Sequence, residues 1–142
     1  MKDIYVVYWS STGNTQAMAE LVAEGITEAG ANPKVTEVSA MDAALLKDAD
    51  CFALGASAMG AEVLDDEMDS FVTEVEAFAS GKTIGLFGSY DWGDGEWMRD
   101  WVSRMEEAGA KVVGGETAIV NMAPDDDDKI NACKELGKEL AK

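Results

Sequence analysis

A doubly wound α/β fold follows from three features of this sequence. Short apolar runs alternate with amphipathic helical stretches, each handover falls on glycine or small polar residues, and the runs are hydrophobic enough for strands buried on both faces. Parallel neighbours need crossover connections, and these are right-handed, so helices cover both sides of the sheet in three layers. We expect one five-stranded parallel sheet in the order 2-1-3-4-5. A length of 142 residues with 47% hydrophobic content suits one well-buried core and is short for two ordinary domains, so residues 1–142 are read as a single domain.

Asp3 to Trp9, rich in Val, Ile and aromatics, reads as the first strand, and Thr15 to Ala29 as a helix with Met18, Leu21, Val22 and Ile26 on one face. Gly30 ends that helix and Pro33 cannot continue it. Lys34 to Val38 alternates like a half-buried strand near a sheet edge. Ala43 to Leu46 is expected to form one short helix, and Asp50 to Leu54 the next buried strand. Asp65 to Ala79 carries Met68, Phe71, Val72, Val75 and Phe78 on one face with acids opposite; Gly81 breaks it and Thr83 to Gly88 gives another buried strand. Glu96 to Ala108 is a helix whose Trp97, Trp101 and Met105 recur at helical spacing, which makes them core residues, and Gly109 closes it before the strand region Lys111 to Val120. Pro124 and the acidic run Asp125 to Asp128 start a last helix ending near Ala141. Acids in a first helical turn complement the dipole, so capping alone accounts for that run.

Composition removes several classes of chemistry. Lys+Arg total 11 against 28 Asp+Glu, and the net charge of -17 repels nucleic-acid phosphates and anionic membranes while steering in basic protein surfaces. There is no histidine, so schemes built on a histidine base, relay or metal ligand are absent and any chemistry belongs mostly to a cofactor. Cys51 and Cys133 lie far apart without C-x-x-C spacing and suggest neither a metal nor a disulfide framework. The N-terminus has no basic region followed by a long apolar one, and no segment approaches a membrane span, so a cytoplasmic location is expected.

Three loops remain to be explained. Ser10-Ser11-Thr12-Gly13-Asn14-Thr15, between the first strand and the first helix, holds four hydroxyls, one amide, one glycine and no charge. A strand leading straight into a helix presents free N–H groups and the positive end of the helix dipole, which suits an anion such as a phosphate. The hydroxyls of Ser10, Thr12 and Thr15 add donors, and Gly13 lets the backbone bend around a ligand. The alternative for these residues is a polar turn with a helix cap. No P-loop lysine and no G-x-G-x-x-G follows the first strand. Gly55 to Ala61 is a loop of small residues around one methionine, and Ser89-Tyr90-Asp91-Trp92-Gly93-Asp94-Gly95 follows the fourth strand. In the order 2-1-3-4-5 the first, third and fourth strands are adjacent, so all three loops converge on one crevice at the carboxyl edge of the sheet.

These residues resemble flavodoxin, specifically the short-chain kind of anaerobic bacteria. Trp9 to Thr15 is similar to that family's FMN-phosphate loop, Ala56 to Glu62 to its isoalloxazine-edge loop, and Phe87 to Met98 to its aromatic loop. The likeness runs the length of the chain, without the long insertion in the final strand that marks long-chain relatives. It implies a flavodoxin-like fold, non-covalent FMN, and low-potential one-electron transfer between redox proteins through the semiquinone/hydroquinone couple, with no substrate turnover of its own. By the same resemblance Ser10, Ser11, Thr12, Gly13, Asn14 and Thr15 bind the phosphate and Ser57 closes that site. Met59, in the stretch from Ala58, packs on the inner face of the flavin ring and Trp92 on its outer face, while Glu62 accepts from the pyrimidine N3–H. Backbone groups of Gly60, Ser89, Asp91 and Gly93, beside Tyr90, reach the ring edge and its ribityl end. Two positions depart from the family pattern: Asp91 stands where glycine is frequent, adding charge near the ring's N1/O2 edge, and Ala61 where Asp, Gly or Ser is frequent.

Physical reasons for these residue types stand beside the resemblance. Trp92 offers a flat stacking surface and a carboxylate can accept where the oxidised ring donates. A dianionic phosphate in a neutral cradle, together with Asp65, Asp66, Glu67, Asp91 and Asp94, disfavours added negative charge on the ligand. At an effective dielectric near 20, one charge roughly 12 Å away costs about 1.4 kcal/mol, or about 60 mV for one electron. Expected partners are basic-surfaced reductases and oxidoreductases met through transient electrostatic contacts, with no nucleic acid, no membrane and a monomeric chain. An FMN-dependent reductase and a non-redox α/β module such as a receiver domain are the competing classes. NADH oxidation without a partner marks the first, and colourless protein indifferent to FMN marks the second.

Overall fold

Ile4, Val6 and Val7 have no exposed surface, which places the first strand, β1 (Asp3–Tyr8), in the middle of a sheet with side chains packed on both faces. The computed structural model describes residues 3–10, 13–57, 65–90, 95–121 and 126–141. Within them β1 is followed by α1 (Asn14–Glu28), β2 (Asn32–Glu37), β3 (Cys51–Gly55), α2 (Asp66–Glu76), β4 (Thr83–Tyr90), α3 (Glu96–Glu107), β5 (Lys111–Asn121) and α4 (Asp127–Leu140). The strands form one five-stranded sheet in the order β2-β1-β3-β4-β5, every pair parallel, as the sequence predicts.

Period-two alternation sorts the core into two halves. Val7, Phe52, Leu54, Ile84 and Leu86 face α2 and α3, where Met68, Phe71, Val72, Val75, Trp97, Trp101 and Met105 meet them. Ile4, Val6, Cys51, Ala53 and Phe87 face α1 and α4, against Met18, Val22, Ile26, Cys133, Leu136 and Leu140. Trp97 and Trp101 are core residues, with ring centroids 6.1 Å apart. Both cysteines are buried and free. On the α1 and α4 side the two helices touch backbone to backbone: a Cβ on Gly25 would lie 2.1 Å from the Lys134 carbonyl oxygen, and one on Gly137 would lie 2.1 Å from that of Val22.

Three differences from the sequence reading have local causes. The connection from β2 to β3 is two short 3-10 turns, Val38–Ala40 and Ala43–Leu46, the second capped by the Asp42 carboxylate accepting from the Ala44 N–H. β2 begins at Asn32 and takes in Pro33, which an edge strand tolerates because its outer side has no partner. β4 runs on to Tyr90, since Ser89 and Tyr90 pair with Val120 and Asn121 of β5. Opposite the step from Leu86 to Gly88, β5 advances from Gly114 to Ile119, a bulge beginning at Gly114 and Gly115 with φ 77° and 66°. Among the described residues no helix is long and apolar enough to cross a membrane.

Candidate functional site

The carboxyl ends of β1, β3 and β4 lie side by side, and one residue at or beyond each end meets the others at a single point. Thr15 belongs to the first turn of α1, Ser57 follows β3 by two residues, and Ser89 is the penultimate residue of β4. Their hydroxyls close a triangle: Thr15 Oγ1 is 2.7 Å from Ser57 Oγ and 2.9 Å from Ser89 Oγ, and the two serines are 3.1 Å apart. All three are buried, Thr15 completely. Three hydroxyls carry three protons, enough to satisfy each edge of the triangle once, and each O–H can rotate outward to an incoming oxyanion.

Above this floor starts α1. Its N-cap is Gly13 at φ 95°, a left-handed conformation that a side chain would strain, and nothing lies within 4 Å of where a Cβ would stand. Among the described residues no side chain caps the first turn, and no acidic residue lies in it. Ser10 Oγ accepts from the Gly13 N–H at 2.9 Å, which folds the segment back towards the helix start. α3 also starts on a left-handed glycine, Gly95 at φ 91° with no side-chain cap among the described residues, but has an acid in its first turn, whereas α2 and α4 are capped by carboxylates. Asp65 accepts from the N–H groups of Glu67 and Met68 to cap α2, and Asp126 accepts from Lys129 N–H to cap α4. Their first turns carry Asp66, Glu67 and Asp69, and Asp127 and Asp128; that of α3 carries Glu96. An acid-free helix start with buried hydroxyls beneath it suits an anion.

The surroundings are negative. No Lys or Arg occurs in residues 9–15, 56–65 or 89–95, whereas Glu62, Asp65, Asp91 and Asp94 do. Cations with described partners are engaged elsewhere: Lys82 donates to the carbonyls of Lys47 and Ala49, Lys134 and Lys138 pair with Glu28, and Arg104 pairs with Asp69 and Glu76. At the end of β1, burial and the charges of Glu37 and Glu20 raise the Tyr8 phenol above its ordinary value, so it stays protonated.

Of the residues the sequence singles out, Ser10, Gly13, Asn14, Thr15, Ser57, Ser89 and Tyr90 fall among those described. Thr15, Ser57 and Ser89 are brought into contact; Ser10 and Gly13 are joined to each other beside them, Asn14 opens α1, and Tyr90 ends β4. Ser11, Thr12, Ala58, Met59, Gly60, Glu62, Asp91, Trp92 and Gly93 lie outside the described residues. One side-chain role is not read from the sequence: beside the backbone contact expected of Ser89, its hydroxyl joins Thr15 and Ser57. The signal available for it was position, since a small hydroxyl residue at the end of a central strand shares an edge with the start of α1.

This donor set suits the phosphate of FMN: neutral hydroxyls and helix N–H groups supply hydrogen bonds to a dianion, and the three loops contain no Lys or Arg. Comparison with known proteins agrees. A flavodoxin family profile matches residues 6–136. A flavodoxin of Clostridium beijerinckii is 47% identical over 138 residues, 96% of this chain and 97% of its own. That of Megasphaera elsdenii is 43% identical over 140 residues, 98% of each chain. The solution structure of the two-electron reduced Megasphaera elsdenii protein superposes with a TM-score of 0.89, covering 97% of this chain and 98% of that one, and an archaeal flavodoxin structure, 31% identical, superposes at 0.86 over 99% and 96%. The chain belongs to the flavodoxin family.

Proposed function

We propose that this flavodoxin carries single electrons between redox proteins at low potential, holding FMN by its phosphate at the start of α1, with residues 1–142 acting as one unit and no substrate turnover of its own. The observation that carries the reading is the pairing of an acid-free helix start with the buried Thr15, Ser57 and Ser89 hydroxyls in a chain of net charge -17. When bound, FMN supplies reversible one-electron chemistry at its ring.

The chain's own residues hold and bias it. Thr15, Ser57 and Ser89 turn their O–H groups from one another towards the phosphate, with Ser10, Ser11, Thr12, Gly13 and Asn14 completing the cradle. Met59 and Trp92 cover the two faces of the ring and exclude water, and Glu62 accepts a hydrogen bond from the N3–H at the ring's pyrimidine edge; the backbone of Gly60, Asp91 and Gly93 borders the rest. Because the cradle is neutral, the phosphate charge is left to oppose any negative charge gained by the ring, and Asp65, Asp66 and Glu67 at the start of α2 add to that opposition. A strong reductant results from what the site withholds.

The acids that start α2, α3 and α4 stand at the carboxyl edge of the sheet, and they orient basic-surfaced partners towards it in brief encounters. The cytoplasm is the compartment we assign. Purified protein should show the yellow absorption of bound flavin, pass electrons from a reductase to an acceptor protein, and leave NADH unoxidised when alone. Colourless protein that ignores added FMN would overturn the reading; NADH oxidation without a partner would replace the carrier by an enzyme.

A further inference from the structure

Residues 58–64 lead directly into α2 and residues 91–94 lead into α3, so the two stretches that hold the ring in the proposed function end on two neighbouring helices. Whatever sets α2 against α3 sets the separation of those two ends. Most charges of these helices work against a fixed separation: α2 carries Asp66, Glu67, Asp69, Glu74 and Glu76 with no Lys or Arg, and α3 carries Glu96, Asp100, Glu106 and Glu107 against Arg99 and Arg104.

Arg104 of α3 reaches across to α2 along most of its length. Its Nη1 donates to Asp69 Oδ1 at 2.6 Å in the first turn, its Nη2 to Thr73 Oγ1 at 2.8 Å in the middle, and its Nε to Glu76 Oε1 at 2.8 Å in the last residue. Thr73 Oγ1 in turn donates to the Asp69 carbonyl at 3.0 Å, so it is held by the helix it belongs to while it receives the guanidinium. The side chains of Arg104 and Glu76 are 27% and 33% exposed and that of Asp69 54%, so solvent screens the Asp69 contact more than the Glu76 one. A planar fork with donors in fixed directions is suited to this three-point contact, and an ammonium would satisfy fewer of its acceptors at once.

We propose that Arg104 is a positioning residue for the flavin: by pinning α3 to Asp69, Thr73 and Glu76 of α2, it fixes the separation of the first residues of the two helices, Asp66 and Glu96, into which the ring-binding stretches of the proposed function run. The proposal rests on the FMN reading above. It separates the work of the site between two halves, with α1 holding the phosphate and the α2–α3 pair gauging the ring.

Arg104→Met keeps much of the aliphatic stem and removes the fork. In this variant the dissociation constants for FMN and for riboflavin both rise about tenfold and by the same factor, because the phosphate cradle on α1 is untouched. The potential of the second one-electron reduction moves towards that of free FMN. Arg104→Lys recovers part of both effects. The double variant Asp69→Asn with Glu76→Gln reproduces them from the other helix, and combining it with Arg104→Met adds little. Should Arg104→Met fail to fold, the Asp69/Glu76 double variant is judged by the same criteria. A lowered melting temperature with unchanged affinities and potential would reduce Arg104 to a brace and overturn the proposal. Wild-type protein that binds no FMN would instead bring down the functional reading itself.

Discussion

The start of α1 and the start of α2 lie at the same edge of one sheet and are built to opposite rules. α2 begins with an Asp65 carboxylate on its free N–H groups and three more acids in its first turn. That is the stabilising choice for a helix in isolation, worth about 1 kcal/mol for the cap alone. α1 begins at a left-handed glycine with no acid in its first turn and, among the described residues, no side-chain cap. In a chain with 28 acidic residues the omission costs stability that acids supply elsewhere, and it leaves one positive helix end for a ligand's negative charge.

Breaking the difference from the α1 side should have the largest effect. Asn14→Asp gives α1 an acid at its first residue. A carboxylate about 10 Å from a dianion at an effective dielectric near 20 costs about 3 kcal/mol, more than a hundredfold in FMN affinity. The same change raises the stability of the apoprotein by about 0.5 kcal/mol. Fluorescence titration and urea unfolding of one preparation would show the two moving in opposite directions; parallel movement would mean that the site does not depend on the neutrality of α1.

Thr15→Val comes next. It removes the hydroxyl shared by Ser57 and Ser89 and leaves those two with each other, so FMN binding weakens about tenfold and apoprotein stability falls by about 1 kcal/mol. Calorimetric binding of FMN checks the first effect and thermal unfolding the second.

On the α2 side cap and charge can be separated. Asp65→Asn keeps a capping oxygen and should leave stability nearly unchanged, while Asp65→Ala loses about 1 kcal/mol. Both raise the potential of the second reduction by roughly 20–40 mV after solvent screening, more at low salt than at high. Equal potentials in wild type and variants would detach the acids of α2 from redox tuning.

The far end of α1, packed against α4, supplies the smallest effect at neutral pH. Burial pushes the Cys133 thiol from 9.0 up to about 12. An acid whose folded pKa is raised stabilises fully below its unfolded value, so this contribution is constant below pH 9 and is lost as pH climbs from 9 towards 12. Urea midpoints measured between pH 8 and pH 11 should fall more steeply for wild type than for Cys133→Ala.

Much of this architecture is legible in the residues because burial imposes a period. Ile4, Val6 and Val7, or Phe52 and Leu54 beside Cys51 and Ala53, sort to opposite faces as a two-sided strand requires, and Trp97, Trp101 and Met105 sort to one face as a helix requires. Pairing partners leave no such trace. Ser89 and Tyr90 read as the beginning of a loop, and β5, through Val120 and Asn121, holds them in the sheet. That pairing is what turns the Ser89 hydroxyl to Thr15. The bulge at Gly114 and Gly115 is likewise a matter of register between strands. Arg104 shows the same limit: a cation among acids is visible in the sequence, whereas its three acceptors, Asp69, Thr73 and Glu76 of α2, depend on how two helices lie together.

Affinity for FMN and for riboflavin, measured side by side on the folded apoprotein by flavin fluorescence quenching, tests the neutral start of α1 most directly. The two ligands differ only in the phosphate, and a cradle made of helix N–H groups and the Thr15, Ser57 and Ser89 hydroxyls predicts a preference for FMN of about a hundredfold or more. Equal affinities would contradict it.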